Sequence, residues 1–169
     1  MIIKHSISTL LSSAVLTSYY IIFSKSAQPY HMHKYWLGIQ AVKSLTFIFQ
    51  IPSAIGAVVW YMWATRQKHK KGLFTKIPPM YIIWVFLMAS LAWPWLLPKN
   101  LPSKPYQAIL CCIPLWIASI SVIMMVAGTF EVGAPTIPTV AVIYLAITVV
   151  LIDGIGWSAK LIHDSLNIS

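Results

Sequence analysis

Asp153 is the only acidic residue set inside a long apolar run, "IPTVAVIYLAITVVLIDGIGWS" (137–158). A carboxylate surrounded by hydrocarbon is costly, so it is a functional hypothesis by default. It stands near the end of that run, where a side chain reaches the interface easily. Lys160 follows seven residues later on the same helical face, placed to interact with Asp153 through water or with His163. His31 and His33 in "PYHMHKYW" have no acidic or thiol partner nearby to complete a metal-ligand set. Cys111 and Cys112 are adjacent within an apolar run. Neighbours on a helix point in different directions, which argues against a disulfide between them and against a metal site. They read as small core or lipid-facing residues. HExxH, GxSxG, a phosphate-binding loop and paired carboxylates are all missing from the chain. With only Glu131, Asp153 and Asp164 as acids, general acid–base catalysis has few candidates. No potassium-filter sequence is present either. These residues argue against a recognisable enzyme or channel, and no catalytic residue is assigned.

The elements that hold these residues follow from composition. Of 169 residues, 59% are hydrophobic and 9% charged, against about 25% charged in a typical soluble domain. The mean hydropathy is +0.77. Three acidic residues cannot keep so much apolar surface soluble, so a polytopic membrane protein is expected. A span needs about 20 apolar residues. Five runs qualify, at about 6–23, 42–64, 79–97, 106–128 and 137–158. The expected architecture is therefore all-α, one domain over 1–169 made of five transmembrane helices with short loops. The longest loop, Ser24–Ala41, has room for an interfacial helix. Lys4, the first apolar run and "SKSA" before Gln28 share the outline of a cleavable signal peptide. We read the run as a retained span, whose serines and threonines can hydrogen-bond neighbouring helices or their own backbone.

A net charge of +9 resembles a nucleic-acid signal, but the basic residues sit mainly in short segments between apolar runs, as membrane proteins place them. With five spans, Lys4, Arg66, Lys68, Lys70, Lys71 and Lys76 fall on one side and Lys25, Lys34, Lys99, Lys104 and Lys160 on the other, with Lys43 at a helix start. The totals barely differ. The dense cluster "TRQKHKK" (65–71) places the N-terminus and the loop 65–78 in the cytoplasm or its equivalent. Arg66, Lys68, Lys70, Lys71 and Lys76 are then candidates to attract anionic lipid headgroups, at about 1 kcal/mol per charge near the surface.

Pro52, Pro94 and Pro114 each fall inside a span. Each removes a backbone donor and frees an upstream carbonyl that must find a partner within the protein. Kinked helices also splay, which leaves room between them at mid-depth. Ser53 and Ala57, and Gly154 and Ser158, are pairs of small residues four apart that mark helix contacts within or between chains. Eight tryptophans are present. Trp36, Trp60, Trp63, Trp95 and Trp157 lie near span ends and fit an aromatic belt, as Trp84 does at the opposite end of the third span. Trp93 and Trp116 fit it less well and are candidates for a ligand pocket. In "AWPW" (92–95) the proline can turn one ring inward and leave the other at the interface. A ring turned inward beside a bend lines a site for a flat apolar ligand.

Five short spans, many tryptophans and little loop resemble the TspO/translocator (tryptophan-rich sensory) protein family. "YWLGIQ" (35–40) looks like its tryptophan–tyrosine segment after the first helix, "GLFTK" (72–76) like the stretch before its third, and "LAWPWLL" (91–97) like the tryptophan-bearing end of that helix. Pro138, Val142, Leu145 and Ala146 keep the spacing of the family's proline–aromatic–aromatic–alanine pattern, with aliphatics for the rings. The family's lysine–proline–serine–tryptophan–proline run is absent, Ser90 and Val150 stand near its asparagines, and Lys160 lies too far from Tyr144 for its sterol-recognition pattern. The resemblance implies a five-helix bundle, often dimeric, that binds porphyrins or sterol-like ligands between helices. It carries pocket roles to Trp36, Trp93, Trp95, Leu145 and Ala146; Trp116 and Asp153 join them on the grounds given above. Two other readings stand beside it: a non-catalytic accessory subunit of a larger membrane complex, and a small membrane enzyme or transporter using Asp153.

Overall fold

The structure is a computed structural model. It describes residues 2–23, 43–67, 72–96 and 104–167, with side chains at 5–21, 52–67, 72–96 and 104–167. Trp36, His31, His33, Lys68, Lys70 and Lys71 lie outside the described residues.

All regular structure among the described residues is helical. Helix α1 runs Ile2–Phe23, α2 Lys43–Arg66, a single turn α3 Leu73–Lys76, α4 Pro79–Leu96, α5 Pro105–Glu131, and α6 Thr136–Leu166. Prolines open α4 and α5, where a missing N–H and a fixed φ are suited to the first turn. Pro52, Pro94 and Pro114 are all carried inside helices. Helix α5 ends in a left-handed Gly133 at φ 65, whose N–H bonds Phe130 O, and Ala134 N–H then bonds Thr129 O at 3.1 Å. The chain thus satisfies its last carbonyls while reversing direction.

Helices α4, α5 and α6 are long and apolar enough to cross a membrane, with best-window mean hydropathies of 1.5, 2.5 and 2.2. Only 44%, 50% and 28% of those windows are buried. Most of α6 therefore turns apolar side chains outward, which suits hydrocarbon and not water. The chain has the make-up of an α-helical membrane protein. Helices of 22 and 24 residues, α1 and α2, cover the two remaining apolar runs.

Helix α5 is central and packs on α4 along one side and on α6 along the other. Helix α1 lies on α4, and α2 lies on α6 with a lighter touch on α4. The small-residue pairs mark contacts within the chain. Ser53 is buried and donates to Tyr144 O at 3.1 Å. Gly56 lets α2 approach the α6 backbone at Ala141, where an added Cβ would fall 2.6 Å from the carbonyl oxygen.

Within α6, residues Ile147–Trp157 form a π-helix of 11 residues, far longer than the usual single-turn bulge. Side chains from two neighbours pin it. Ser119 of α5 donates to Val149 O at 3.0 Å and occupies the space that Gly154 leaves by lacking a Cβ. Ser53 of α2 bonds the Thr148 hydroxyl. In hydrocarbon a loosened backbone must be satisfied by the protein itself, and these hydroxyls help to do so.

At the end where α1 begins and α2 stops, Phe74 of α3 plugs the bundle and is 1% exposed. Its ring meets Trp60 edge-on at 6.0 Å and fills the notch at Gly128. Glu131 accepts a hydrogen bond from Leu73 N–H at 2.5 Å and fastens the same turn. Several tryptophans depart from a belt. Trp60 and Trp157 are buried at 0% and 4% exposure, and Trp60 Nε1 donates to Thr129 Oγ1 at 2.7 Å. An interior hydroxyl captured that indole, which position along the span did not reveal.

Candidate functional site

Two places gather residues with a capacity for binding. The first lies toward the end opposite the basic loop. Pro94 stands between Trp93, which is 5% exposed, and Trp95, which is 60% exposed. The indoles on either side of the proline thus take opposite environments. Trp93 packs with Trp157 of α6 at 6.2 Å and 67°, and with Tyr19 of α1 at 6.0 Å and 40°. Cys111, Cys112, Leu115 and Leu161 complete this cluster. Cys111 Sγ donates to Leu96 O at 2.8 Å, so the first thiol seals the end of α4. Both cysteines are free and buried.

Asp153 belongs to the π stretch and lies within electrostatic range of Tyr19. Among the described residues no hydrogen bond or ion pair reaches its carboxylate. Lys160, placed by spacing to serve Asp153, bonds Asp164 at 2.9 Å instead. An i,i+4 partner on the same helix is nearer than one seven residues away. His163 also approaches Asp164, at 3.6 Å. No group of three or more metal-ligating side chains occurs among the described residues.

The second place is a groove of about 300 Å³ on the outer side of the α5–α6 contact. Ile123 and Val126 form one wall, and Ile143, Ile147, Val150 and Leu151 the other, with Ala146 between them. Its surface is entirely apolar. Ala146 is the smallest side chain of its lining.

The expected pocket residues are dispersed between these places. Trp93 and Asp153 are on the aromatic side, and Ala146 is in the groove. Leu145 is buried in the main core at 2% exposure. Trp95 and Trp116 point outward, Trp116 at 39% exposure. Arg66 and Lys76 flank the plug at the basic end and are exposed. Tyr19 and Trp157 were not expected here. Trp157 lies four residues after Asp153, close to one turn of the wide helix that holds them both; nothing local marks Tyr19, which arrives from a distant helix.

The arrangement can hold apolar ligands from the bilayer side. The groove is lined by aliphatic side chains alone, while the aromatic side also carries two buried free thiols, a phenol and the Asp153 carboxylate. Compared with known proteins, the chain matches no family model, no curated protein and no solved structure.

Proposed function

We propose that this protein is a five-span integral membrane protein that binds a flat lipophilic molecule between its helices, as the TspO-like layout implies. In this reading α1 and α2 are the first two spans, and the basic loop faces the cytoplasm or its equivalent. The observation that carries the binding reading is the groove around Ala146. Its volume of about 300 Å³ falls at the lower end of ligand sites, about 300–1,000 Å³. Lipid tails are as apolar as the groove, so burial alone does not select a ligand there. Selection has to come from shape, and a rigid flat face fits a shelf of branched side chains over one small residue. The lining offers no basic partner, so an uncharged fused-ring molecule of sterol type suits it better than a porphyrin, whose carboxylates would be left bare.

Photolabelling of proteoliposomes with a diazirine sterol tests this. Labelling should saturate, map to α5 and α6, and be competed by unlabelled sterol more effectively than by haemin. Ala146→Phe fills the groove and should abolish most of the saturable labelling. Labelling that never saturates, or that is unchanged in a folded Ala146→Phe protein, refutes the reading.

The accessory-subunit reading draws on a different observation. The side of α1 turned from α4 exposes Ser6, Thr9, Ser13, Thr17 and Tyr20, spaced three or four apart. Transmembrane helices use such hydroxyl-bearing faces against one another more than against lipid. A subunit would co-purify with fixed partners in mild detergent, and leucines at Ser13 and Thr17 would release them.

A further inference from the structure

The half-buried carboxylate of Asp153 shares the α6 end with a wall of aromatic rings that spans three helices. Tyr19 comes from α1, Trp93 from α4 and Trp157 from α6, at ring separations of 6.0 and 6.2 Å. Asp153 and Trp157 are four residues apart, close to one turn of the wide helix that holds them both. The cation nearest along the helix, Lys160, is held by Asp164 at 2.9 Å. The carboxylate thus lies within electrostatic reach of Tyr19 at this end of α6 and has, among the described residues, no ion-pair partner.

We propose that Asp153, Tyr19, Trp93 and Trp157 form a site for an amphiphilic organic ammonium ion, reached sideways from the bilayer. The ligand's charged nitrogen pairs with the carboxylate, and its apolar body stays in hydrocarbon. The chemistry excludes other classes. A hard inorganic cation such as calcium needs about six to eight oxygen ligands, and no metal-ligating group of three side chains is found among the described residues. A neutral ligand would bury the carboxylate further without compensating it. An ammonium ion supplies the opposite charge that the carboxylate lacks, and that attraction strengthens where water is excluded. This site shares no residue with the groove around Ala146, so either can fail without the other.

The test uses the full chain in dodecyl maltoside micelles, which contain no ammonium group. Tryptophan fluorescence is titrated with para-bromobenzyl dodecylammonium and with its uncharged isostere, para-bromobenzyl dodecyl ether, the bromine serving as quencher. The ammonium compound should quench saturably and bind at least about tenfold more tightly than the ether, as a charge-assisted pair requires. Asp153→Asn keeps the shape and removes the charge. It should erase the preference while leaving the ether's affinity unchanged, and Asp153→Glu should retain part of it. Equal affinities for the two probes in the unmodified protein overturn the proposal by themselves, whatever the variants do. A full ammonium preference in Asp153→Asn overturns it equally.

Discussion

Single residues in this chain act through what they leave room for. Gly128 accepts the ring of Phe74, and an added Cβ there would run into that ring. Phe74 cannot step aside, because it is fully enclosed between Trp60 and α5. Gly128→Val is expected to destabilise the protein by about 1–3 kcal/mol, the usual result of overpacking. In a Phe74→Ala background the same change should cost much less, since its obstacle is gone. Thermal unfolding of the four proteins in detergent measures the coupling, and additive effects would show that the two residues do not meet. The tryptophans teach a related lesson. "AWPW" announced that its two indoles would differ, because a proline separates them. Position along the span assigned Trp95 to the interface and left Trp93 for the interior, as the structure has them; it did not name the partners of Trp93, which are Trp157 and Tyr19 on other helices.

At the scale of elements, α6 is the helix whose form the chain itself did not disclose. Its apolar run was plain, and the helix extends to Leu166, eight residues past the expected limit at 158. The final stretch is amphipathic, so it lacks the continuous apolar signal that delimits a span. The π stretch was invisible, since it depends on hydroxyls arriving from α2 and α5. It also sets the rotation of everything that follows. Deleting Ile155, an exposed residue, removes no buried side chain. It should nonetheless turn the following residues about the helix axis by one residue's step. Leu161 and Ser165, both at 0% exposure, would leave their contacts. The deletion should lower the unfolding temperature far more than Ile155→Ala does. Equal effects would mean that the wide turn does not determine the register.

For the whole molecule, the alternation of helices fixes which loops share a side. His5 of α1 meets Tyr61 of α2 at 2.8 Å, so the start of α1 lies beside the C-terminal end of α2. The C-terminal turn of α6 lies at the opposite end, with the last residues of α4 and the first turns of α5. Five spans therefore predict that cysteines introduced at position 4 and position 76 are labelled from one side of sealed vesicles, and one at 166 from the other. Labelling of all three from the same side would refute an odd number of crossings.

The chain by itself determined its solvent and its rods. Long apolar runs with few charges demand hydrocarbon, and in hydrocarbon a lone segment has no better way to satisfy its backbone than a helix. Helix limits near 23, 64, 97 and 128 followed from where those runs stop, and the helices end at Phe23, Arg66, Leu96 and Glu131. What only the tertiary structure decided was the inside of the bundle. In water an apolar stripe tells the buried face of a helix from the exposed one. In a membrane both faces are apolar, so the pattern loses that information. Which rings meet Trp93, and where the groove beside Ala146 opens, depended on how the helices rotate against one another, through hydroxyls and small residues whose partners lie far away in the chain.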